Sequence, residues 1–182
     1  MGKILILYYS KDGSTKKMAE YVKEGVEQIP AHEIRMLSVY EASIHDVVWC
    51  DGIALGSPTY LGTVASPIKK FMEDCLPVWQ KIDGKFGCAF SSQGGWGGGA
   101  ELTCQALNTI LMNFGFLVFG VTDYVARQFT THYGAIQAGE PRLDKEKDSC
   151  RILGRRLAEW IAVYRDGRKE QHPLNGQYKR NP

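Results

Sequence analysis

The sequence predicts an α/β protein: a single domain built on a doubly wound, five-stranded parallel sheet with helices on both faces. Three observations predict it. Short apolar runs alternate with amphipathic segments of helical period along most of the chain. The runs are apolar at successive positions, as strands covered on both faces must be. The length of 182 residues suffices for one core of ordinary size but not for two. Alternation at this spacing implies right-handed crossovers and therefore a parallel sheet.

The first strand is read at residues 3–9, where Ile4 to Tyr9 are all apolar or aromatic. From Thr15 the period changes: Met18, Val22, Val26 and Ile29 recur every three or four positions with Lys16, Lys17, Glu20, Lys23 and Glu24 between them, and Pro30 closes the helix. A short strand follows at Ile34 to Leu37, then a short helix at Ser43 to Val48, then a strand at Gly52 to Gly56. Ser66-Pro67 supplies a cap and a first-turn proline for a helix with Ile68, Phe71, Met72 and Cys75 on one face, ending before Pro77. Residues 85–90 read as the fourth strand. A helix follows over Glu101 to Phe114, with Leu102, Ala106, Ile110 and Phe114 as its apolar row. Phe116 to Val121 reads as the fifth strand, and the last helix spans about Asp144 to Tyr164 on Leu153, Leu157, Ile161 and Tyr164. Residues 1–165 thus make the domain and 166–182 a polar, solvated tail.

Composition removes several function classes. Hydrophobic residues at 44% and charges at 23% are far from the balance that leaves a chain disordered. The 22 basic and 20 acidic residues leave +2, and Arg168, Lys169, Lys179 and Arg180 in the tail supply that excess. The body is neutral, so no basic face for nucleic acid is expected. The N-terminal run is too short to span a bilayer, and no membrane association is expected. Cys50, Cys75, Cys88, Cys104 and Cys150 form an odd, widely spaced set without a Cys-x-x-Cys pair, read as reduced core thiols of a cytoplasmic protein.

In doubly wound sheets ligands bind beyond the carboxyl ends of the strands, where the winding reverses. Three segments there carry unusual residues. After the first strand, Ser10-Lys11-Asp12-Gly13-Ser14-Thr15 offers hydroxyls and a glycine at a helix N-terminus, a cradle for a single phosphate. It lacks the Lys-[Ser/Thr] ending of a triphosphate loop, and by itself it could equally be a polar helix cap. After the third strand, Pro58, Thr59, Tyr60, Leu61 and Gly62 form an irregular segment with an aromatic face for a flat heterocycle. After the fourth, Ser91, Ser92 and Gln93 lead into Gly94, Gly95, Trp96, Gly97, Gly98 and Gly99, which is either a floppy connector or backbone that approaches a ligand closely. Three such segments on consecutive strands line one crevice.

Taken together, the hydroxyl-rich loop, Ser-Pro-Thr-Tyr-x-Gly and Ser-Ser-x-Gly with its following glycines resemble the flavodoxin-like flavoproteins, nearest the WrbA-type NAD(P)H:quinone oxidoreductases, over about residues 3–163. The resemblance implies strand order 2-1-3-4-5 and FMN as cofactor. It implies that Ser10, Lys11, Asp12, Gly13, Ser14 and Thr15 hold the phosphate. Pro58, Thr59, Tyr60, Leu61 and Gly62 with Ser91, Ser92, Gln93, Gly94, Gly95 and Gly97 then clasp the isoalloxazine. It further implies NAD(P)H and a quinone or similar planar acceptor as partners, Tyr60, Trp79 and Trp96 as walls of the substrate slot, and a homo-oligomer, dimer or tetramer. The flavin itself carries the chemistry, by hydride transfer through N5, so no catalytic side chain is required. Departures from the family pattern are Asp12 in the phosphate loop, Asn113-Phe114 in place of a histidine pair, and a shorter stretch between strands two and three, which weighs against the tetramer.

Two alternatives belong to other classes. A one-electron flavodoxin carrier is typically strongly acidic for docking onto basic partners, unlike this neutral body. A dinucleotide-binding domain would use Gly95 to Ala100 as Gly-x-Gly-x-x-Ala with Asp123 on the ribose, leaving the other two loops without a role. A phosphoacceptor regulator is weaker still, since Tyr8-Tyr9-Ser10 brings no clustered acids. His32, His45, His132 and His172 are scattered, and no metal site is expected; His132 is placed on a loop that could approach the flavin edge.

Overall fold

A computed structural model of the chain describes residues 1–175. Its elements are β1 (Gly2–Tyr8), α1 (Ser14–Glu27), β2 (His32–Ser38), α2 (Ile44–Trp49), β3 (Gly52–Tyr60), β4 (Thr63–Val64), α3 (Ser66–Asp74), a 3-10 turn (Leu76–Lys81), β5 (Phe86–Gln93), α4 (Ala100–Asn113), β6 (Leu117–Val118), β7 (Val121–Ala126), β8 (Phe129–Thr131), β9 (Ala135–Ala138), α5 (Asp144–Tyr164) and a 3-10 turn (Lys169–Gln171). The sheet runs β2-β1-β3-β5-β6, and β9 also pairs with β5. These pairs are parallel, so the sheet has the five positions and the order the sequence implied. Its central strands are buried on both faces. One core lies under α1 and α5, around Ile4, Ile6, Met18, Val22, Leu153 and Leu157. The other lies under α2, α3 and α4, around Leu5, Leu7, Ile53, Ile68, Leu107 and Leu111. Helices α1 and α5 cross so closely that a Cβ on Gly154 would sit 1.9 Å from the Val22 carbonyl oxygen.

The fifth strand, read at Phe116 to Val121, is corrected. Only Leu117–Val118 pair with the start of β5; at Val121 the chain leaves the sheet as the β7–β8 hairpin and returns as β9 against Phe90–Gln93. The reason lies in Thr122-Asp123-Tyr124: a carboxylate cannot enter a doubly covered strand, and Asp123 instead reaches Arg156 on α5 at 2.7 Å. Gly134, at φ 138°, turns the chain back into the sheet where a Cβ would meet the Ala89 carbonyl at 2.2 Å.

The apolar row on α4 is also corrected. Leu102 is 60% exposed, and the buried face is Ala100, Thr103, Cys104, Leu107 and Leu111. A row at steps of four drifts about 40° per step around a helix of 3.6 residues per turn, so it leaves the face that alternating steps of three and four hold. Tyr164, at the end of α5, is likewise exposed, whereas Leu153, Leu157 and Ile161 are buried.

All five cysteines are free and buried. Burial pushes the thiols of Cys50 and Cys150 up to about 12 and that of Cys75 to about 11, and it raises Cys88 and Cys104 as well. They are inert core residues. The tail does not begin in solvent: Arg168 donates to the Pro30 carbonyl at 2.8 Å and bonds His32 Nε2 at 3.1 Å, and His172 packs edge-on against Trp160. Lys179 and Arg180 lie outside the described residues. No helix among the described residues is long and apolar enough to cross a membrane.

Candidate functional site

The carboxyl ends of β1, β3, β5 and β9 open into one cleft of about 170 Å³. The three segments singled out in the sequence meet here. Ser10, Lys11, Asp12, Ser14 and Thr15 line it from the β1–α1 loop; Pro58, Thr59 and Tyr60 from β3; Ser92, Gln93 and Gly94 from β5. Gly13, Leu61, Gly62, Ser91, Gly95, Trp96 and Gly97 are on the same segments but outside the lining.

Gly13 is the N-cap of α1 in the left-handed region, φ 92°, and no side chain caps the helix. The N–H groups of its first turn therefore stay free of side-chain acceptors, with the positive end of the helix dipole behind them. Beside them Thr15 and Ser92, both nearly fully buried, share a hydroxyl bond of 2.8 Å. Two hydroxyls hold two protons and the shared bond uses one, so the pair keeps one O–H for a ligand.

The segment after β3 is not the irregular stretch the sequence suggested. β3 continues through Tyr60, turns at Leu61 and Gly62, φ 52° and 79°, and returns as β4, with Thr59 opposite Val64 and Tyr60 opposite Thr63. Pro58 fits a strand here because Ser57 and Pro58 pair in parallel with Ser91 and Ser92 of β5. Tyr60, 38% exposed, meets Tyr9 edge-on at 6.4 Å, and Tyr9 meets Tyr40 at 5.9 Å, so the cleft has an aromatic flank. Burial, with the nearby Tyr9 and Asp12, raises the Tyr60 phenol above its ordinary range and keeps it neutral.

A line of hydroxyls ties the hairpin to its neighbours. Ser91 Oγ donates to the Ser57 carbonyl at 2.8 Å, Thr59 Oγ1 lies 3.0 Å from Ser91 Oγ, and Thr103 Oγ1 donates to Thr59 Oγ1 at 2.9 Å. The Gln93 side-chain oxygen accepts from Ala100 N at 2.9 Å and so caps α4. Sequence reasoning missed Thr103 and Gly139. Gly139 lines the cleft and donates to the Gln93 carbonyl at 2.8 Å; the misplaced fifth strand hid it.

Trp79 is not at the cleft. It sits 55% exposed on the 3-10 turn leading into the start of β5, because α3 carries the chain from the carboxyl rim back to the opposite one. Trp96, 59% exposed, stays on the glycine loop. His132 faces Tyr124 edge-on at 6.2 Å and does not line the cleft. The dinucleotide alternative loses its ribose carboxylate, since Asp123 is paired with Arg156.

A doubly wound parallel sheet with an uncapped helix N-terminus and an aromatic hairpin on one rim defines a flavodoxin-like nucleotide-binding protein. A flavodoxin domain model matches residues 5–85. The flavodoxin of Aquifex aeolicus (strain VF5) is 58% identical over 171 residues, covering 93% of this chain and 92% of that one. NAD(P)H dehydrogenase (quinone) 3 of Rhizobium meliloti (strain 1021) is 27% identical, covering 95% and 98%. Among solved structures, a flavodoxin from the domain Archaea superposes with TM-score 0.68 at 28% identity over 87% of this chain and 98% of that one. The flavodoxin, WrbA-like protein from Agrobacterium tumefaciens does so with 0.69 at 22% over 90% and 99%, a likeness of fold. The chain belongs to the flavodoxin family, whose cofactor is FMN. The residues present fit that group: the first turn of α1 and the one remaining hydroxyl proton form a donor set for a dianionic phosphate, and Tyr60 offers a face for a planar ring.

Proposed function

We propose that the protein is an FMN-dependent NAD(P)H:quinone oxidoreductase. The observation that carries this is the bare rim formed by Gly94, Gly95 and Gly97: beyond the neighbours in the chain, no atom lies within 4 Å of where a side chain would begin at any of them. That rim leaves room for a second planar molecule beside the hairpin, which an enzyme exchanging nicotinamide for quinone needs. When bound, FMN supplies two-electron hydride chemistry. The loop from Ser10 to Thr15 would grip the phosphate through backbone N–H groups and the Thr15–Ser92 hydroxyl pair. Pro58 to Gly62 and Ser91 to Gly97 would hold the ring, with Tyr60 and Trp96 flanking the substrate. No protein acid or base is needed, and the neutral Tyr60 phenol adds no charge to the slot. The five buried free thiols suit a reducing, cytoplasmic setting. The Rhizobium meliloti relative carries the same activity in its name.

The 58% identical relative named flavodoxin favours a second reading, an electron carrier serving other redox proteins. Purified protein loaded with FMN separates the two. Under the first reading NAD(P)H bleaches the yellow colour within seconds and a soluble benzoquinone restores it catalytically. A protein that stays yellow in excess NADH and NADPH, yet accepts electrons from a flavodoxin reductase, overturns the enzyme reading in favour of the carrier.

A further inference from the structure

The hydroxyl line around Thr59 has a direction that proton accounting fixes. Ser91 gives its one proton to the Ser57 carbonyl, which can only accept. The 3.0 Å bond between Thr59 and Ser91 is therefore donated by Thr59. Thr59 then has no proton left, and its oxygen takes the one offered by Thr103 at 2.9 Å. The order is Thr103 to Thr59 to Ser91 to the Ser57 carbonyl. The Thr59 hydroxyl is thus committed inside the protein. Any hydrogen bond that Thr59 donates to a ring must come from its backbone.

Thr103 stands at the far end of that line, on the first turn of α4 and fully buried. It belongs to none of the three motifs. Its backbone N–H bonds the Gly99 carbonyl at 3.0 Å, which closes the helix turn without the Thr59 contact, and its one hydroxyl proton is shared between Thr59 at 2.9 Å and that same carbonyl at the longer 3.2 Å. The glycine loop and the hairpin also touch here, since a Cβ on Gly99 would lie 3.6 Å from Gly62 Cα and 3.8 Å from the Thr59 methyl. What the Thr103 hydroxyl adds is a fixed distance between α4 and the hairpin strand that carries Tyr60.

We infer that Thr103 is a positioning residue for the flavin ring: its hydroxyl holds Thr59, and through it the Pro58–Tyr60 edge of the cleft, at the spacing the isoalloxazine requires. This rests on the FMN site proposed above and adds to it a residue that touches no cofactor. The phosphate end of the cleft, held by α1 and the Thr15–Ser92 pair, is outside the line and does not depend on Thr103.

The test compares Thr103→Val and Thr103→Ser with wild type, titrating apoprotein with FMN, with riboflavin, which lacks the phosphate, and with inorganic phosphate. Loss of one buried hydrogen bond that orders the ring site predicts about a fivefold weaker affinity in Thr103→Val. The loss is equal for FMN and riboflavin, phosphate binding is unchanged, and quenching of bound-flavin fluorescence is reduced. Thr103→Ser restores both affinity and quenching. Thr59→Val breaks the same bond from the part-buried side and serves should the valine at 103 compromise folding. Thr59→Val also removes the bond to Ser91, so the double variant is no weaker than Thr59→Val alone, whose loss already contains the Thr103 contact. Wild-type flavin affinity and quenching in Thr103→Val overturn the inference, as does a loss seen with FMN and phosphate but not with riboflavin. A wild-type apoprotein that takes up no FMN overturns the site itself, a distinct result.

Discussion

The two rims of the sheet make an instructive pair. The carboxyl rim holds the 170 Å³ cleft; the amino rim holds a larger one, about 390 Å³, lined by Trp49, Asp51, Asp83, Lys85, Tyr164 and Arg165 among others. By size and charge the amino rim is the more conspicuous site. Its two cations and Asp51, however, are already used. The Lys85 ammonium donates to the carbonyls of Val47, Val48 and Cys50, which closes the C-terminal end of α2, and Arg165 pairs with Asp51 at 2.8 Å while Asp51 also accepts from Lys3 N. At the carboxyl rim the opposite holds: α1 has no capping side chain and the Thr15–Ser92 pair has a proton to give. Uncommitted hydrogen-bonding capacity, rather than volume, distinguishes a place built for a ligand from one built to hold the fold together.

The largest effect expected from that contrast is at Gly13. Gly13→Asp places a carboxylate at the end of α1 that receives the phosphate, and FMN affinity falls by roughly 100-fold or more, about 3 kcal/mol, because the added charge opposes a dianion. Gly13→Asn, which tolerates the same left-handed backbone without charge, loses much less. Fluorescence titration of apoprotein with FMN measures both. Equal affinity of Gly13→Asp and wild type would remove the phosphate from this loop.

At the amino rim the prediction inverts. Lys85→Met keeps the aliphatic stem but leaves three carbonyls without their shared donor, so the apoprotein loses about 2 kcal/mol of stability in urea unfolding while FMN affinity is unchanged. Burial already draws the Lys85 ammonium below its ordinary range, yet the carbonyls hold it in place. Weaker FMN binding without loss of stability would show that the two rims are not independent.

What could be read from the sequence divides along the same line. The first four strands were legible because an apolar run is a local signal, and so were α1, α3 and α5, whose periods are clear. The three cleft segments were legible because Gly13, Pro58, Tyr60 and the glycines after Gln93 are unusual residues at strand ends. Illegible were the features that depend on register between distant segments. The Thr15–Ser92 pair joins residues 77 apart, and Thr59–Thr103 joins residues 44 apart. The β7–β8 hairpin was hidden because Phe116 to Val121 carries a convincing strand signal, and only the buried partner of Asp123, on α5, draws the chain out of the sheet. Trp79, which the resemblance placed at the substrate slot, lies away from the cleft within the chain because the path of α3 carries it toward the start of β5.

The smallest effect discriminates most finely. Removing either member of the Thr15–Ser92 pair leaves the other hydroxyl with its proton and no partner, so that the survivor can still donate once to the phosphate. Thr15→Val and Ser92→Ala should therefore each weaken FMN binding by no more than about threefold. The double variant removes the last side-chain donor and should lose about tenfold or more, the scale of one hydrogen bond to a charged group. Such a deficit exceeds the product of the single effects, the reverse of the pattern expected for Thr59 and Thr103, where Thr103→Val adds nothing to Thr59→Val. Riboflavin affinity should be indifferent to all three variants, because it lacks the anion that the spare proton serves. Additive single losses, or equal losses with riboflavin, would mean that the pair is part of the scaffold, as Lys85 is at the other rim, and not a donor held in reserve for the phosphate.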